Sequence, residues 1–403
     1  LSELPALARR LAAAVAKAGQ EAGKQTGAAL ALATVVSTEG SVYRRAGAWM
    51  TVDPDGVRQG QVSGGCLEAD LAERAAAVLA RGVPETVTYD TRQPDDLLWG
   101  LGMGCQGVVR LLVEPLRGER LRRLAAFFAH AADLAQPAVL LTVISGPPDA
   151  LGERLLVTAD AVVSSGAASH LEEIAGEIAR EARQSLESLE AESTGSGAFR
   201  PAAGTYIKGA LEIGREILSP RPQLIVCGAG EDAVPLASLA GELDWRVLVI
   251  DHRAAWARPE RFPGARVVAL ASPGDLPGLF AAAHARTAAV VMSHNFERDA
   301  QYAAALLPLG LPYLGLLGPK RRGEQILRTA EALVSEGRRA ARVFSPVGLD
   351  VAAETPREIA LAIVAEISAV LAGRSGGHLA DRETSIHAPA AGRRIGAPQE
   401  TDR

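Results

Sequence analysis

Two of the three cysteines in this chain stand directly behind glycines, Cys66 in the run VSGGCLEAD (62–70) and Cys105 in LGMGCQGV (101–108). Cys66 follows Gly64 and Gly65 and falls where the helical pattern LEADLAERA begins. A thiol placed there meets the free N–H groups and positive end of a helix, which favour thiolate over thiol and make it a soft ligand. Cys105 lies between Gly104 and Gln106, where glycine neighbours leave room for a bulky group to approach. Each is weighed against the plainer reading of a small buried hydrophobe, and for Cys227, which ends the apolar strand QLIVC, that core reading is preferred. A structural zinc site wants four closely spaced ligands, yet no CxxC or adjoining histidine cluster occurs. The seven histidines are scattered, so a Cys–His nucleophile pair has no support in the spacing.

Before Cys66 comes GSVYRRAGAWM, in which Arg44 and Arg45 follow a glycine-serine turn. Two guanidinium groups on a loop suit a phosphate, and the alternative is a pair of solubilising surface arginines. Together, an anion-binding loop, two accessible thiols and a glycine-rich cradle describe a pocket for a phosphorylated ligand carrying something thiophilic. A separate constellation is Gly228-Ala229-Gly230 with Ala233, a GxGxxA arrangement between the strand QLIVC and a helix starting near Asp232. The first glycine permits the tight turn, the second lets a pyrophosphate approach the helix's positive end, and the alanine allows close helix packing. Asp251 falls at the end of the next strand, where an acid meets a ribose. Glu231 and Asp232 crowd the expected phosphate seat with negative charge, and the glycines can equally serve the turn alone. Within SHNFERD (293–299), His294 with Asp299 nearby offers a proton-transfer group or simply finishes a strand.

The elements that position these residues follow from composition and pattern. A chain of 403 residues exceeds the roughly 250–300 that one core sustains, so two or more domains are expected. Its net charge of -5 and pI near 5.9 give no basic face for a phosphodiester backbone, which argues against nucleic acid. No stretch approaches the roughly 18–20 uninterrupted apolar residues of a membrane span, and three cysteines, an odd number, fit a reducing compartment; a cytoplasmic, soluble protein is expected. The fold class read from the pattern is α/β, an N-terminal α/β domain plus a C-terminal Rossmann-like doubly wound parallel sheet. Residues 1–117 hold an amphipathic helix, the strands GAALALATVVST and AWMTVD, the helix ending at Gly82, and the strands ETVTYDT and VVRLLVEPL on either side of a glycine-dense loop. Residues 118–205 form a middle segment with a helix, a strand, a hairpin, an acidic helix and the linker STGSGAFRPAAG. Residues 220–373 alternate strand and helix, beginning with a βαβ unit, and 374–403 read as a mobile tail lacking apolar periodicity.

These motifs, in order, resemble the XdhC/CoxI family, accessory proteins of xanthine dehydrogenase and related molybdenum hydroxylases. The resemblance rests on GSVYRRAGAWM, GQVSGGCLEADL and WGLGMGCQGVVRLLVEPL. In the C-terminal part it rests on LIVCGAGEDAVPLASLAGELDWRVLVIDHR, VVMSHNFERDA, YLGLLGPKRR and SPVGLDVAAETPREIALAIVAEI. It implies a carrier, without turnover of its own, that binds molybdenum cofactor as molybdopterin or its cytidine dinucleotide form. Such a carrier shelters the cofactor while a cysteine desulfurase helps install its terminal sulfur, then delivers it to an apo-xanthine dehydrogenase or related hydroxylase. On this resemblance Cys66 and Cys105 would touch the metal or its sulfur, and Arg44 and Arg45 the phosphate. Gln106, where family members often carry glycine, adds a donor and an acceptor that could reach the pterin. A homodimer is the default assembly. Two rivals remain: an NAD(P)-dependent oxidoreductase built on Gly228, Gly230 and Asp251, and a scaffold that binds no small molecule.

Overall fold

The computed structural model describes residues 3–20, 29–92, 107–166, 203–279, 286–334 and 341–382, together with positions 171, 176, 179–184 and 186. Contacts divide the chain into two units, Leu1–Ser188 with Pro201–Pro220, and Leu189–Arg200 with Arg221–Arg403. Among the described residues no helix is long and apolar enough to cross a membrane.

The first unit opens with α1 (Leu4–Gln20), whose Leu7, Ala8, Leu11 and Ala14 form one buried stripe at helical spacing. Its first sheet holds β1 (Ala29–Gly40), β2 (Trp49–Val52), β3 (Arg58–Gly60), β4 (Glu85–Asp90) and β5 (Gly107–Arg117) in the order β3-β2-β1-β5-β4, every pair antiparallel. The near-continuous apolar run of β1 is explained by burial on both faces. Ala31, Ala33 and Val35 join the core under α2 (Glu68–Arg81), while Leu30 and Leu32 join the core under α1 and α3 (Gly118–Ala132). Gly82 ends α2 in the left-handed conformation, φ 71°, and donates its N–H to the Val78 carbonyl.

A second antiparallel sheet holds β6 (Ala138–Ser145), β7 (Arg154–Val157), β8 (Val162–Ser164), β9 (Ala203–Lys208) and β10 (Leu211–Leu218), in the order β8-β7-β6-β10-β9. Leu140, Leu156 and Leu218 pack into the same core as α1 and α3, so the two sheets share it. The β9–β10 hairpin is absent from the sequence reading, which ended its middle segment in a linker. Its signal lies in the alternating Leu211, Ile213 and Ile217 beyond the left-handed turn at Gly209 (φ 59°). Of the predicted acidic helix, residues 179–184 are helical and most others lie outside the described residues.

The second unit is the predicted parallel sheet. Its strands β11 (Gln223–Cys227), β12 (Arg246–Asp251), β13 (Arg266–Ala269), β14 (Thr287–Val291), β15 (Tyr313–Leu316) and β16 (Val343–Phe344) run in the order β13-β12-β11-β14-β15-β16, all parallel. The order reverses between β11 and β14, which opens a crevice at their carboxyl ends. Leu224 and Val226 face α4 (Ala233–Glu242) and α7 (Pro356–Leu371); Ile225 and Cys227 face α5 (Phe296–Leu306) and α6 (Lys320–Leu333). A capping box fixes the start of α7, Thr355 Oγ1 accepting from the Glu358 N–H while Glu358 accepts from the Thr355 N–H, with Pro356 at the first helical position.

One buried ion cluster spans the first unit. Glu114 of β5 and Arg154 of β7 are both buried, and Arg154 donates to Glu114 through both terminal nitrogens. Arg120 adds a third hydrogen bond at 2.9 Å, and a Cβ on Gly152 would lie 2.2 Å from the Glu114 oxygen. Burial alone would raise the Glu114 pKa, but the charge and hydrogen bonds of Arg154 and Arg120 outweigh it and hold it below 4.5. That contribution is complete above the unfolded value and is lost as pH falls through the lower folded one. Glu114→Ala, which strands a buried guanidinium, is expected to cost roughly 3–5 kcal/mol in urea unfolding.

Candidate functional site

In the first unit, the loop between β1 and β2 carries Tyr43, Arg44 and Arg45, and the loop between β3 and α2 carries Gly64, Gly65 and Cys66. The first loop is held at its neck: Gly47 donates its N–H to the Val35 carbonyl and Val35 donates to the Ala48 carbonyl, both at 2.8 Å. The second is wrapped around one carboxylate. Glu68, in the first turn of α2, is buried and accepts the N–H groups of Val62 (3.3 Å) and Ser63 (2.8 Å) and the Ser63 hydroxyl. Ser63 Oγ in turn accepts the N–H of Gly65 and Leu67, each at 3.1 Å, and lies 3.5 Å from Cys66 Sγ. Burial works against the Glu68 carboxylate, but the Ser63 and Val62 hydrogen bonds outweigh it and keep its pKa below the ordinary range. A permanent negative charge therefore sits under the loop, and Gly65 takes the left-handed region (φ 113°) that lets the chain turn out to Cys66. Cys66 is half-buried, just ahead of the N-terminus of α2.

The two loops meet. A Cβ on Gly64 would rest 3.8 Å from the ring of Tyr43, itself largely exposed. Gly107, which ends the second cysteine motif, packs so closely on the first loop that a Cβ would lie 2.5 Å from the Glu39 carbonyl oxygen and 2.6 Å from Val42. Gly107 is also clasped to Thr91, whose N–H and hydroxyl both donate to its carbonyl, at 2.9 and 2.8 Å. Gly104, Cys105 and Gln106 themselves lie outside the described residues. Arg44 is engaged in an ion pair with Glu3 just ahead of α1, and Arg45 is exposed. An anion on Arg44 would therefore share or displace Glu3. Among the described residues no group of three or more His, Cys, Asp or Glu side chains is placed to hold a metal ion.

In the second unit, the residues predicted to hold a dinucleotide are all at the crevice, but most are occupied by neighbours in the chain. Gly228 (φ 126°) is a packing necessity, since a Cβ would lie 2.5 Å from the Met292 carbonyl oxygen. Asp251 is buried, and its oxygens accept the Ala229 N–H (2.8 Å) and the Arg253 N–H, Nε and terminal nitrogen (2.7–2.9 Å). Burial opposes this carboxylate, yet the Arg253 and Ala229 hydrogen bonds outweigh it and lower its pKa. Over Gly230 stands Asp232, one oxygen 2.8 Å from where a Cβ would be and the other 2.7 Å from His294 Nε2. His294 takes a left-handed backbone conformation (φ 61°), unusual for a residue with a side chain. It does not meet Asp299, which is buried and accepts from the Ser293 N–H and hydroxyl and from Arg322. Cys227 lies wholly in the core, where burial and then the Asp299 charge push its pKa up.

Sequence reading selected the glycines, Cys66 and the arginines but passed over Ser63, Glu68, Thr91 and the Asp232–His294 pairing. For Ser63 and Glu68 a signal existed, a hydroxyl residue followed by a glutamate at a helix start, although the spacing is wider than the usual three residues.

Residues 24–90 match the XdhC and CoxI family, and residues 224–367 match the XdhC Rossmann domain. The chain is 31% identical over 336 residues to one of the probable xanthine dehydrogenase subunits of Bacillus subtilis (strain 168), covering 83% of this chain and 91% of that one. A shorter likeness, 28% identical over 176 residues, joins 44% of this chain to 32% of the uncharacterized protein YqeB of Escherichia coli (strain K12). A crystal structure of a xanthine dehydrogenase from Bacillus halodurans matches with a TM-score of 0.66 and 26% identity, covering 95% of this chain and 98% of its own.

The two described cysteines differ in access, and this can be read directly. In a Cys105→Ser background, a thiol-specific chromogenic reagent is expected to titrate Cys66 in the folded chain and to reach Cys227 only after denaturation.

Proposed function

The chain belongs to the XdhC and CoxI family, accessory to xanthine dehydrogenase, and on that premise we propose that it carries molybdenum cofactor to a hydroxylase. The cargo is held in the first unit, sheltered while its terminal sulfur is installed with a cysteine desulfurase as partner, and released into the apo-enzyme. The observation that supports this most is the meeting of the arginine loop with the Cys66 loop, where Tyr43 lies on Gly64, beside Gly107, the first residue of β5, which packs on Glu39 and Val42. The donor set has the right chemistry for such a cargo. A dithiolene-bound molybdenum is thiophilic, which suits Cys66 and Cys105, and the pterin's phosphate suits Arg44 and Arg45. The Ser63–Glu68 clasp fixes the Cys66 loop before any cargo arrives.

A second reading, NAD(P)-dependent oxidation in the second unit, is favoured by the strand order and by Gly228 and Gly230 at the turn. Against it stand the engaged oxygens of Asp251 and the two carboxylates, Glu231 and Asp232, beside the pyrophosphate position. Titration with NADH and NADPH, followed by nicotinamide fluorescence, separates the two readings; the carrier reading expects no saturable signal.

Expression in a cofactor-making host is expected to yield a chain that copurifies with molybdenum and a fluorescent oxidised pterin. Cys66→Ala and Cys105→Ala should each lower the molybdenum retained per chain severalfold while leaving the circular dichroism spectrum unchanged. Undiminished retention in both variants would defeat the proposed role of the thiols.

A further inference from the structure

Two aromatic side chains are exposed among the described residues, Tyr43 at 62% and Phe296 at 37%. Phe296 has a charged neighbour, the Arg322 guanidinium carbon lying 5.8 Å from its ring centre. On Tyr43, among the described residues, neither a second ring nor a guanidinium is stacked. One face of its ring is nevertheless backed. A Cβ on Gly64 would stand 3.8 Å from the ring's Cγ and 3.9 Å from both Cδ1 and Cδ2, near-equal distances that place that point over the flat side. Both loops concerned are anchored. Ser63 and Glu68 clasp the loop that carries Gly64, and the loop that carries Tyr43 is tied at Gly47 to Val35, with Ala46 and Ala48 buried. The phenol is thus presented with one face toward the backbone and the other toward water.

We infer that Tyr43 is a stacking platform for a flat heteroaromatic ring, the pyrimidine ring of a pterin. The inference rests on the carrier reading of this site and adds to it a residue for the part of the cargo that neither thiol nor guanidinium serves. Offset stacking on an open aromatic face contributes beyond the area it buries, and it tolerates the polar edge of a pterin because only the flat sides meet. Tyrosine orders two side-chain torsions, so a ring already backed by Gly64 loses little freedom when a ligand covers its other face. The remaining contacts lie close along the chain. Arg44 directly follows Tyr43, and Cys66 is two residues beyond Gly64, within about 7 Å of main chain. A phosphorylated pterin that bears a thiophilic metal therefore meets a ring, a guanidinium and a thiol on the same two loops.

The test is a fluorescence titration of the full chain with 6-hydroxymethylpterin, a metal-free probe that reads ring binding apart from the thiols. Saturable quenching by the wild-type chain is the expected result. Tyr43→Leu, which keeps apolar bulk but removes the aromatic face, is expected to weaken binding about tenfold, and Tyr43→Phe to stay within about twofold of wild type. Circular dichroism spectra that match wild type show that both variants are folded, as expected at an exposed loop position. No saturable quenching by the wild type, equal affinity in Tyr43→Leu, or a loss in Tyr43→Phe as large as in Tyr43→Leu overturns the inference. Equal affinity in Tyr43→Leu is also what a role for Tyr43 in contacting a partner protein predicts. Molybdenum retention separates this failure from failure of the carrier reading. Molybdenum lost in Cys66→Ala with probe binding indifferent to Tyr43 leaves the carrier reading standing and removes the platform; probe binding that depends on Tyr43 in a chain that never copurifies with molybdenum does the reverse.

Discussion

The buried carboxylate of Glu68 is the constraint on which the first unit's site depends. It draws the Val62 and Ser63 amides and the Ser63 hydroxyl onto one point, and Ser63 then takes the amides of Gly65 and Leu67. With those groups satisfied, the loop has its polar backbone turned inward and Gly64 turned toward Tyr43. Cys66 is thereby presented at a helix start with its position already set. The same economy of space governs Gly107, where any side chain would strike the backbone at Glu39 and Ser41. At Gly107 glycine is a matter of clearance against the neighbouring strand and loop, whereas at Gly65 it serves the left-handed backbone (φ 113°).

The second unit applies the same close approach to a different end. Gly228 brings the turn after β11 against the chain after β14, and Asp251 and one oxygen of Asp232 are engaged internally by Arg253, Ala229 and His294. The fold is a Rossmann-type parallel sheet whose crevice is lined by ion pairs of the chain itself. The ion pairs there, Arg261 with Glu231 and Arg253 with Asp251, are flanked by Trp256, whose ring lies 4.8–4.9 Å from both guanidinium carbons.

Much of this architecture was legible from local pattern. The alternation of strand and helix after Pro222, the cap at Gly82 and the helix start behind Cys66 each follow from a period or a turn residue close in sequence. The features that escaped depend on distant partners. Glu3 with Arg44, Asp232 with His294 and Arg154 with Glu114 are separated by 41, 62 and 40 residues, and no period announces them. The β9–β10 hairpin escaped for another reason: a glycine- and serine-rich approach reads as linker, although β10 enters the interior of a sheet. In the sequence His294 has only Asp299 close by; its partner in the structure is Asp232, 62 residues earlier on the loop after β11, which proximity in sequence does not reveal.

The central claim is that sulfur from Cys66 meets the cargo's metal. Molybdenum K-edge X-ray absorption on cargo-loaded chain, wild type against Cys66→Ser, addresses it at the atom concerned. The account predicts that the variant's spectrum fits fewer sulfur neighbours at the metal, with oxygen or nitrogen in their place. An identical sulfur shell in both chains would contradict it.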